Sequence, residues 1–349
     1  MSTFVATAGR PARARQAARA FALTAIAALL LGLPWWGTAW LGRAVEIAYM
    51  LSLAMLWNLL AGFAGVVSIG QQAFVGLGGY ALFALVILAG VPPLAALPLA
   101  GVVAAVVALP VALLLFRLRG PHLAIGSWVV AEVFRLVAAQ ISALGGGSGQ
   151  SLPVAAVRGI ARSRSAREAI TYFIALALAA LCLALVWGLL RARQGLGLTA
   201  MRDSEAAAAS LGVNVRRLKL TVFVAVAGAT GLLGALIFLQ TLRISPDAAF
   251  SVTDWTANVI FIVVIGGIGT LEGPFAGTAV FFLFRGLFAG FGGWYMIALG
   301  ALAILVMLLA PAGLCGAVSH RFGVTLFPMR RRLGTAPAAA PGLPTASPN

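Results

Sequence analysis

The sequence has 349 residues, of which 62% are hydrophobic and only 9% are charged, and its mean hydropathy is +1.05. A soluble domain is ~45 to 50% apolar, so this composition excludes a water-soluble fold for most of the chain. A membrane-spanning helix needs ~20 consecutive apolar residues, and the chain offers several such runs with few charged side chains inside them. The composition therefore predicts an all-α, polytopic integral membrane protein.

The formal net charge of +16 comes from 24 Lys and Arg residues against 8 Asp and Glu residues. A surplus of this size can indicate binding to nucleic acid. Here, however, the arginines and the single lysine, Lys219, cluster in short gaps between apolar runs and near both termini. That distribution fits the positive-inside rule for membrane proteins. We therefore expect membrane lipid, and no nucleic acid, around the chain.

The first 20 residues carry several arginines and precede an apolar run that begins at Phe21. This arrangement superficially resembles a secretory signal, but Pro34, Trp35 and Trp36 follow where a small-residue cleavage site would stand. We expect a basic cytoplasmic segment over 1–20 and a retained first helix after it.

Hydropathy predicts about ten transmembrane helices (eight to ten) within a transmembrane domain over 21–316. They lie near residues 21–41, 44–62, 72–90, 94–116, 123–140, 170–190, 219–240, 257–270, 274–290 and 294–310. With a cytoplasmic N-terminus, alternation places the basic clusters at 117–119, 191–219 and 321–332 on the cytoplasmic side. The arginines between 158 and 167 are the exception, since they fall in an outer loop over 141–169. Either this outer loop is basic, or the number of helices before it is miscounted.

The tail 317–349 is predicted to be cytoplasmic and basic. Beyond Arg332 it is rich in Pro, Ala, Thr and Ser, a composition that cannot bury a core, so we expect disorder there.

Two features resemble cofactor sites without having their chemistry. The glycine-rich run 145–149 lacks the lysine of a phosphate-binding loop and follows no strand, so it favours a turn. Cys182 and Cys315 lie in apolar surroundings without metal-ligand spacing, which predicts packing roles. With two histidines far apart and no paired acids inside a helix, we expect no metal, no cofactor and no enzymatic activity in this chain.

The polar segment 191–219 separates two apolar helices and is too helix-prone for a simple linker. Asp203 and Glu205 precede four alanines, and Gly212 follows, so we predict a short helix that begins with acids and ends at glycine. Small alanines would permit close docking onto a soluble partner that supplies energy. The alternative is a helix along the membrane surface that only connects two spans.

The same segment carries a resemblance to known transporters. Glu205-Ala206-Ala207, followed by Gly212, resembles the cytoplasmic EAA coupling loop of ATP-binding-cassette (ABC) importer permeases. More narrowly, AMRDSEAAAASLGVN is similar to the AIRDDEIAAxxxGIN pattern of LivM-type branched-chain amino acid permeases. Further blocks resemble that family: NLLAGFAGVVSIGQQAF from Asn58, LRGPHLAIGSWVVAEVFRL from Leu118, VIGGIGTLEGPFAGTAV from Val264, and a weaker PAGLCG from Pro311. Together they cover most of 44–316, with departures at Gln71, Gln72 and His122.

This resemblance implies an importer permease that moves branched-chain amino acids, or related amino acids and amides, across the bacterial inner membrane by alternating access. It implies that an ATPase docks on Asp203, Glu205, Ala206, Ala207 and Gly212. The implied partners are a second, LivH-like permease, two ATP-binding subunits that use the ATP, and an extracytoplasmic substrate-binding protein.

Two rival functions remain open at the level of sequence. Other ABC permeases, for sugars such as ribose, nucleosides, urea or short amides, share the general architecture. A self-contained secondary transporter driven by protons or sodium would use Glu132 as proton carrier, would need no ATPase and would give Glu205 no role.

Polar residues inside apolar helices are candidates for the transport pathway, because a central charge costs ~2.5 to 3.5 kcal/mol on insertion scales. The candidates are Asn58, Ser68, Gln71, Gln72, Glu132, Arg135 and Asn258. Ser68 lies among glycines, which indicates either an interrupted helix or close helix packing. Glu132 and Arg135 are three positions apart, so they can pair with each other or contact a passing zwitterion.

Two further sets of polar residues have open assignments. Arg285 stands among phenylalanines, where a pathway or snorkelling to the interface would satisfy it. Gln150, Asp247 and Asp254 fall in outer loops, where a receptor could dock.

Overall fold

The computed structural model describes residues 32, 34, 40–118, 120–288, 290, 292, 294–310 and 313–322. The predictions for the segment 1–20, for nearly all of the first helix at 21–41 and for the tail beyond 322 lie outside these residues. In chain order the helices are α1 (Leu41–Asn58), α2 (Gln71–Ile87), α3 (Pro93–Leu115), α4 (Pro121–Gln140), α5 (Val154–Ile160), α6 (Arg164–Arg191), α7 (Arg193–Asp203), α8 (Glu205–Ser210), α9 (Val215–Thr241), α10 (Pro246–Ala249), α11 (Asn258–Gly266), α12 (Gly273–Phe288), α13 (Trp294–Leu309) and α14 (Gly313–Phe322).

Seven stretches of the described chain are long and apolar enough to cross a bilayer. They are Leu41–Phe63, Pro93–Leu115, Pro121–Gln140, Arg164–Arg191, Val215–Thr241, Pro246–Gly266 and Met296–Ala317, the last of which includes positions 311 and 312 outside the described residues. Gln71–Ile87 and Gly273–Phe288 are apolar but shorter. These lengths fit an all-α, polytopic membrane protein, and the total of about ten spans stays a prediction.

Several boundaries differ from the sequence prediction. α6 begins at Arg164 and not near 170, because the Ser163 hydroxyl accepts a hydrogen bond from the Ala166 amide (3.2 Å) and caps the helix there. The outer loop is therefore shorter than 141–169, and it also contains α5. The helix predicted over 257–270 ends at Gly266, since Gly267 has a φ of +123° and turns the chain.

Two helices of the described chain contain π-helical turns, which the hydropathy pattern did not indicate. The first, Leu59–Phe63, continues α1. The second, Val252–Ala257, leads into α11. Such turns are rare and are frequent at functional sites.

The core lies where α9 packs along α2 and α3. Small residues allow this close approach: a methyl group on Gly78 would overlap the Gly231 backbone, and one on Gly234 would overlap the Val75 backbone. Packing through small residues is typical of helices in membranes, where no hydrophobic effect drives helices together.

The 27-residue α9, about 40 Å long at 1.5 Å per residue, separates two ends of the helix bundle. We name the end that carries residues 191–214, the loop 64–70 and the turn 267–272 the segment end. The opposite hairpin end carries a two-stranded antiparallel ladder, β1 (Gln150–Ser151) with β2 (Arg243–Ile244), in which Gln150 pairs with Ile244. This ladder is a small addition to the all-α prediction.

Candidate functional site

The predicted segment 191–219 contains the end of α6, the two short helices α7 and α8, and the first turn of α9, which begins at Val215 and not near 219. The prediction that Asp203 starts the short helix was wrong, since Asp203 is the last residue of α7. Ser204 is extended (φ −160°, ψ 114°), and its hydroxyl accepts a hydrogen bond from the Ala207 amide at 3.2 Å. Ser204 therefore separates the two helices and caps α8, as serine does at helix N-termini.

α8 is a six-residue helix with a single buried residue, Ala208. Glu205 begins it and forms an ion pair with Lys219 of α9. Gly212 ends the turn with a φ of +85°, a conformation that L side chains rarely adopt, and nothing lies within 4 Å of the position its Cβ would take. Glu205, Ala206, Ala207 and Gly212 thus lie together on an exposed surface.

α7 connects this exposed helix to the helix bundle through Arg202. The Arg202 Nη1 atom donates a hydrogen bond to the Gly62 carbonyl oxygen (3.1 Å), and its Nε atom contacts the Asp203 carboxylate (3.1 Å). A Cβ on Gly65, whose φ is +69°, would lie 3.2 Å from the Arg202 Cα, and one on Gly269 would lie 3.2 Å from Arg202 Nη1. Arg202 therefore stands where the loop 64–70 and the turn 267–272 meet.

Asn58, the last residue of α1, contacts the turn 267–272 from inside the bundle. Its amide nitrogen donates to the Thr270 carbonyl oxygen (2.7 Å), and its amide oxygen accepts from the Gly269 amide (2.8 Å). Asn58 is only 2% exposed. Because both amide groups are bonded to backbone, Asn58 cross-links the end of α1 to the turn 267–272.

The residues around Ser68 are non-helical and partly buried. The Trp57 indole donates to the Ser68 carbonyl oxygen (2.8 Å), and the Ser127 hydroxyl accepts from the Ile69 amide (3.0 Å). Non-helical backbone at membrane depth is tolerated where protein groups bond it in this way. Both interpretations of the glycines around Ser68 therefore hold. The helix is interrupted at this loop, and Gly62 packs directly against Gly269.

Gln71 and Gln72 begin α2 and are buried. The Gln71 amide nitrogen donates to the Leu53 carbonyl oxygen (3.1 Å), and the Gln72 amide oxygen accepts from the Thr256 hydroxyl. Gln71 Oε1 and Gln72 Nε2 have no hydrogen-bond partner among the described residues. The two glutamines therefore form a polar site within the apolar core.

The other candidates lie towards the hairpin end. Arg135 pairs with Glu132 at 2.6 Å, as their spacing allows, and with Asp247 at 2.8 Å. Asn258 is partly exposed and donates to the Asp254 carbonyl oxygen (3.2 Å). The structure does not bring Asn258 together with the Glu132–Arg135 pair.

Sequence reasoning missed Glu46. This residue forms an ion pair with Arg285, which the sequence analysis had considered as a charge without a partner. An acid inside the apolar run 44–62 is the same signal that selected Glu132, so Glu46 could have been found. Its pairing could not, because the two residues are 239 positions apart.

Comparison with known proteins gives one consistent family. A family model described as branched-chain amino acid transport system, permease component, matches residues 39–311. The chain is 29% identical over 316 residues to the high-affinity branched-chain amino acid transport system permease protein LivM of Escherichia coli (strain K12), with 83% of this chain and 73% of that protein covered. The LivM protein of Salmonella typhimurium (strain LT2) is 30% identical over 297 residues, with 78% and 69% covered. No solved structure shows a significant match. The chain therefore belongs to the family of permease components of branched-chain amino acid transport systems.

Proposed function

We propose that this chain is the transmembrane permease subunit of an ATP-binding-cassette importer and carries branched-chain amino acids across the cytoplasmic membrane by alternating access. The main support for this function comes from α8, a capped six-residue helix that is exposed at the end of a membrane-spanning bundle. A helix that buries one residue contributes little to the core, so its exposed surface suits a partner.

The surface around α8 supports docking of an ATPase subunit. A cleft of about 840 Å³ lies between α8 and the turn after α3, lined by Val67, Phe116, Leu118, Ala206 and Lys219 among others. An alanine face next to a cleft that has both apolar and charged lining residues admits a partner helix or loop at short range. Glu205 and Gly212 fix the two ends of this face.

The contacts of α7 offer a way to transmit movement of α8 into the bundle. A displacement of α7 would pull on the bond between Arg202 and the Gly62 carbonyl, and thereby on the Asn58 cross-link to the turn 267–272. In this mechanism ATP binding closes the two ATPase subunits, α8 follows them, and the pathway opens outward. The chain itself carries out no covalent chemistry.

The proposed assembly contains a second permease, two ATP-binding subunits and an extracytoplasmic binding protein, in membrane lipid. The segment end would face the cytoplasm, because it carries α8, which resembles a coupling helix that docks an ATPase. Arginines lie at both ends and do not decide the orientation, among them Arg202 and Arg217 at the segment end and Arg158 and Arg243 at the hairpin end. The hairpin end would then receive the binding protein.

Co-purification of the assembled transporter tests this proposal. Wild type would be compared with Glu205→Arg, which reverses the charge on α8, and Gly212→Trp, which places a side chain at a positive φ. Glu168→Arg is the matched control, since it makes the same charge reversal at the hairpin end, where Glu168 pairs with Arg164. Associated ATPase and leucine uptake would be measured for each.

We expect the ATPase subunit to be retained by wild type and by Glu168→Arg, and to be lost from both α8 variants together with uptake. A chain that purifies alone and still transports leucine would refute the proposal and favour a secondary transporter.

A further inference from the structure

A cleft of about 700 Å³ opens towards the hairpin end between α1, the end of α9, α11 and α12. Its volume lies within the ~300 to 1,000 Å³ range of small-molecule sites. Its charged lining residues are Glu46, Asp254, Arg243 and Arg285, and Asn258 adds an amide. The cleft thus combines both signs of charge with an amide, next to an aromatic wall.

Glu46 and Arg285 form an ion pair in the wall of the cleft. Their side chains remain 25% and 42% exposed, so both stay accessible from the cleft. Charged residues inside membrane-spanning helices are costly and usually face a partner or a water-filled path. A pair that only neutralised itself could be fully buried, whereas this one keeps part of each charged group open to the cleft.

The wall beside this pair is aromatic. Trp255 contacts Tyr49 and Phe238 edge-on, with ring centroids 6.2 Å apart in both cases. The Trp255 indole donates to the Ala248 carbonyl oxygen (2.8 Å), which fixes its orientation. All three rings are buried and also line the cleft, so they present a rigid apolar surface.

We propose that this cleft binds a free α-amino acid, with the α-carboxylate on Arg285, the α-ammonium on Glu46 and the aliphatic side chain on the aromatic wall. The ligand carboxylate would lie beside the Arg285 guanidinium group, and the ligand ammonium group beside the Glu46 carboxylate. Each charged group would therefore keep a group of opposite charge next to it. This inference rests on the proposed function and adds to it a site for the transported molecule within this subunit.

The site leads towards the buried polar site at the start of α2. Trp255 of the aromatic wall is followed by Thr256 in the same π-helical turn, and Thr256 is hydrogen-bonded to Gln72. Beyond it lie Gln72 Nε2 and Gln71 Oε1, two atoms without a hydrogen-bond partner in the part of the chain that the structure describes. A substrate leaving the cleft would therefore meet hydrogen-bonding groups inside the bundle and not an apolar barrier alone.

Ligands that lack one charged group test the assignment. Equilibrium binding of radiolabelled L-leucine would be measured on the complete transporter in nanodiscs, without binding protein or nucleotide. Competition by L-leucinamide, which lacks the carboxylate, and by 4-methylpentanoate, which lacks the ammonium group, would then be compared. For wild type we expect L-leucine to compete at least about tenfold better than either analogue, since hydrogen bonds to charged groups are the strong ones.

Variants of Arg285 and Glu46 test which residue binds each charged group of the ligand. Arg285→Met is expected to weaken leucine binding about tenfold and to remove the preference for leucine over leucinamide. Glu46→Gln is expected to remove the preference over 4-methylpentanoate. Each single variant leaves one charged residue of the ion pair without its partner in the pair. The double variant Glu46→Gln with Arg285→Met removes both charges and is therefore included. We expect it to lose both preferences while the complex stays assembled.

Arg164→Met and Glu168→Gln are the matched controls, because this pair has the same chemistry and lies outside the cleft. Both are expected to bind leucine like wild type. If leucine uptake is normal but the Arg285 and Glu46 variants keep wild-type affinity and preferences, this site assignment fails and the proposed function stands. If the wild-type transporter neither binds nor transports leucine, the proposed substrate itself fails.

Discussion

The two ends of the helix bundle are held in different ways. At the hairpin end, the β1–β2 ladder and the ion pair between Arg135 and Asp247 join distant parts of the chain, and the Leu152 amide donates to the Leu242 carbonyl oxygen at 2.9 Å. At the segment end, α8 buries one residue and is held by a serine cap and one exposed ion pair. Segments with few buried contacts open at low free energy. The difference indicates a fixed frame at one end and a movable element at the other.

The contacts of Asn58 and Arg202 determine whether movement of α8 is transmitted to the helix bundle. Both residues bond backbone groups next to glycines, so their geometry leaves no room for an added side chain. Changes at these contacts should therefore have larger effects than changes at either surface.

Gly62→Ala is expected to have the largest effect. The added methyl group would lie 2.5 Å from the Gly269 amide nitrogen and 2.9 Å from its Cα, and would overlap the Asn58 amide oxygen. Backbone must shift or the Asn58 cross-link must break, which should lower the free energy of unfolding by on the order of 3 kcal/mol. Thermal unfolding in nanodiscs and leucine uptake measure the loss.

Gly188→Ala is the control for that change. Gly188 lies inside α6, and nothing is within 4 Å of its Cβ position, so alanine should leave stability unchanged or raise it by about 1 kcal/mol. Equal stability of the two variants would show that the segment end adapts to a methyl group, and would remove the case for a tight junction at Gly62.

Arg202→Ala is expected to uncouple the transporter. The variant removes the bond to the Gly62 carbonyl and leaves the exposed face of α8 intact. We expect the ATPase to remain bound and active while uptake falls about tenfold, because one bond from a charged group is lost at the junction. Arg193→Ala, an exposed arginine at the start of the same helix, should behave like wild type. Equal uptake in both variants would argue against transmission through Arg202.

The sequence predicts most helices of this fold, but it does not predict the contacts that make α8 a site. Hydropathy alone places nine predicted helices near described ones, because each apolar run must be helical in a bilayer. The Asn58 cross-link to Gly269 and Thr270 spans more than 200 positions, so no local pattern reveals it. Glu205 and Gly212 follow known helix signals, whereas Asp203 was misassigned because Ser204 was overlooked as a cap.

Removing one serine cap at each end compares the two ends directly. Ser204→Ala and Ser163→Ala each delete a hydroxyl that accepts an amide hydrogen bond of 3.2 Å, a change that costs about 1 kcal/mol. α8 has six residues and should unfold as a whole, whereas α6 has 28 residues and should fray only in its first turn. Hydrogen exchange should therefore speed up throughout 205–210 in one variant and only near 164–167 in the other. Similar local fraying in both would mean that α8 is held by more than its cap and ion pair.

Asp247→Asn is expected to have the smallest effect, although it removes an ion pair that joins α4 to α10. Asp247 is 81% exposed, and exposed pairs contribute at most about 1 kcal/mol because water and salt screen them. Arg135 also keeps Glu132 as a partner at 2.6 Å, and the β1–β2 ladder still joins the segment after α4 to the segment before α10. Thermal unfolding and hydrogen exchange near Gln150 should therefore remain close to wild type, with Glu168→Gln as the control at a second exposed pair. A loss of several kcal/mol, or rapid exchange across the ladder, would mean that the hairpin end depends on this one contact and that the contrast with the segment end is smaller than the structure indicates.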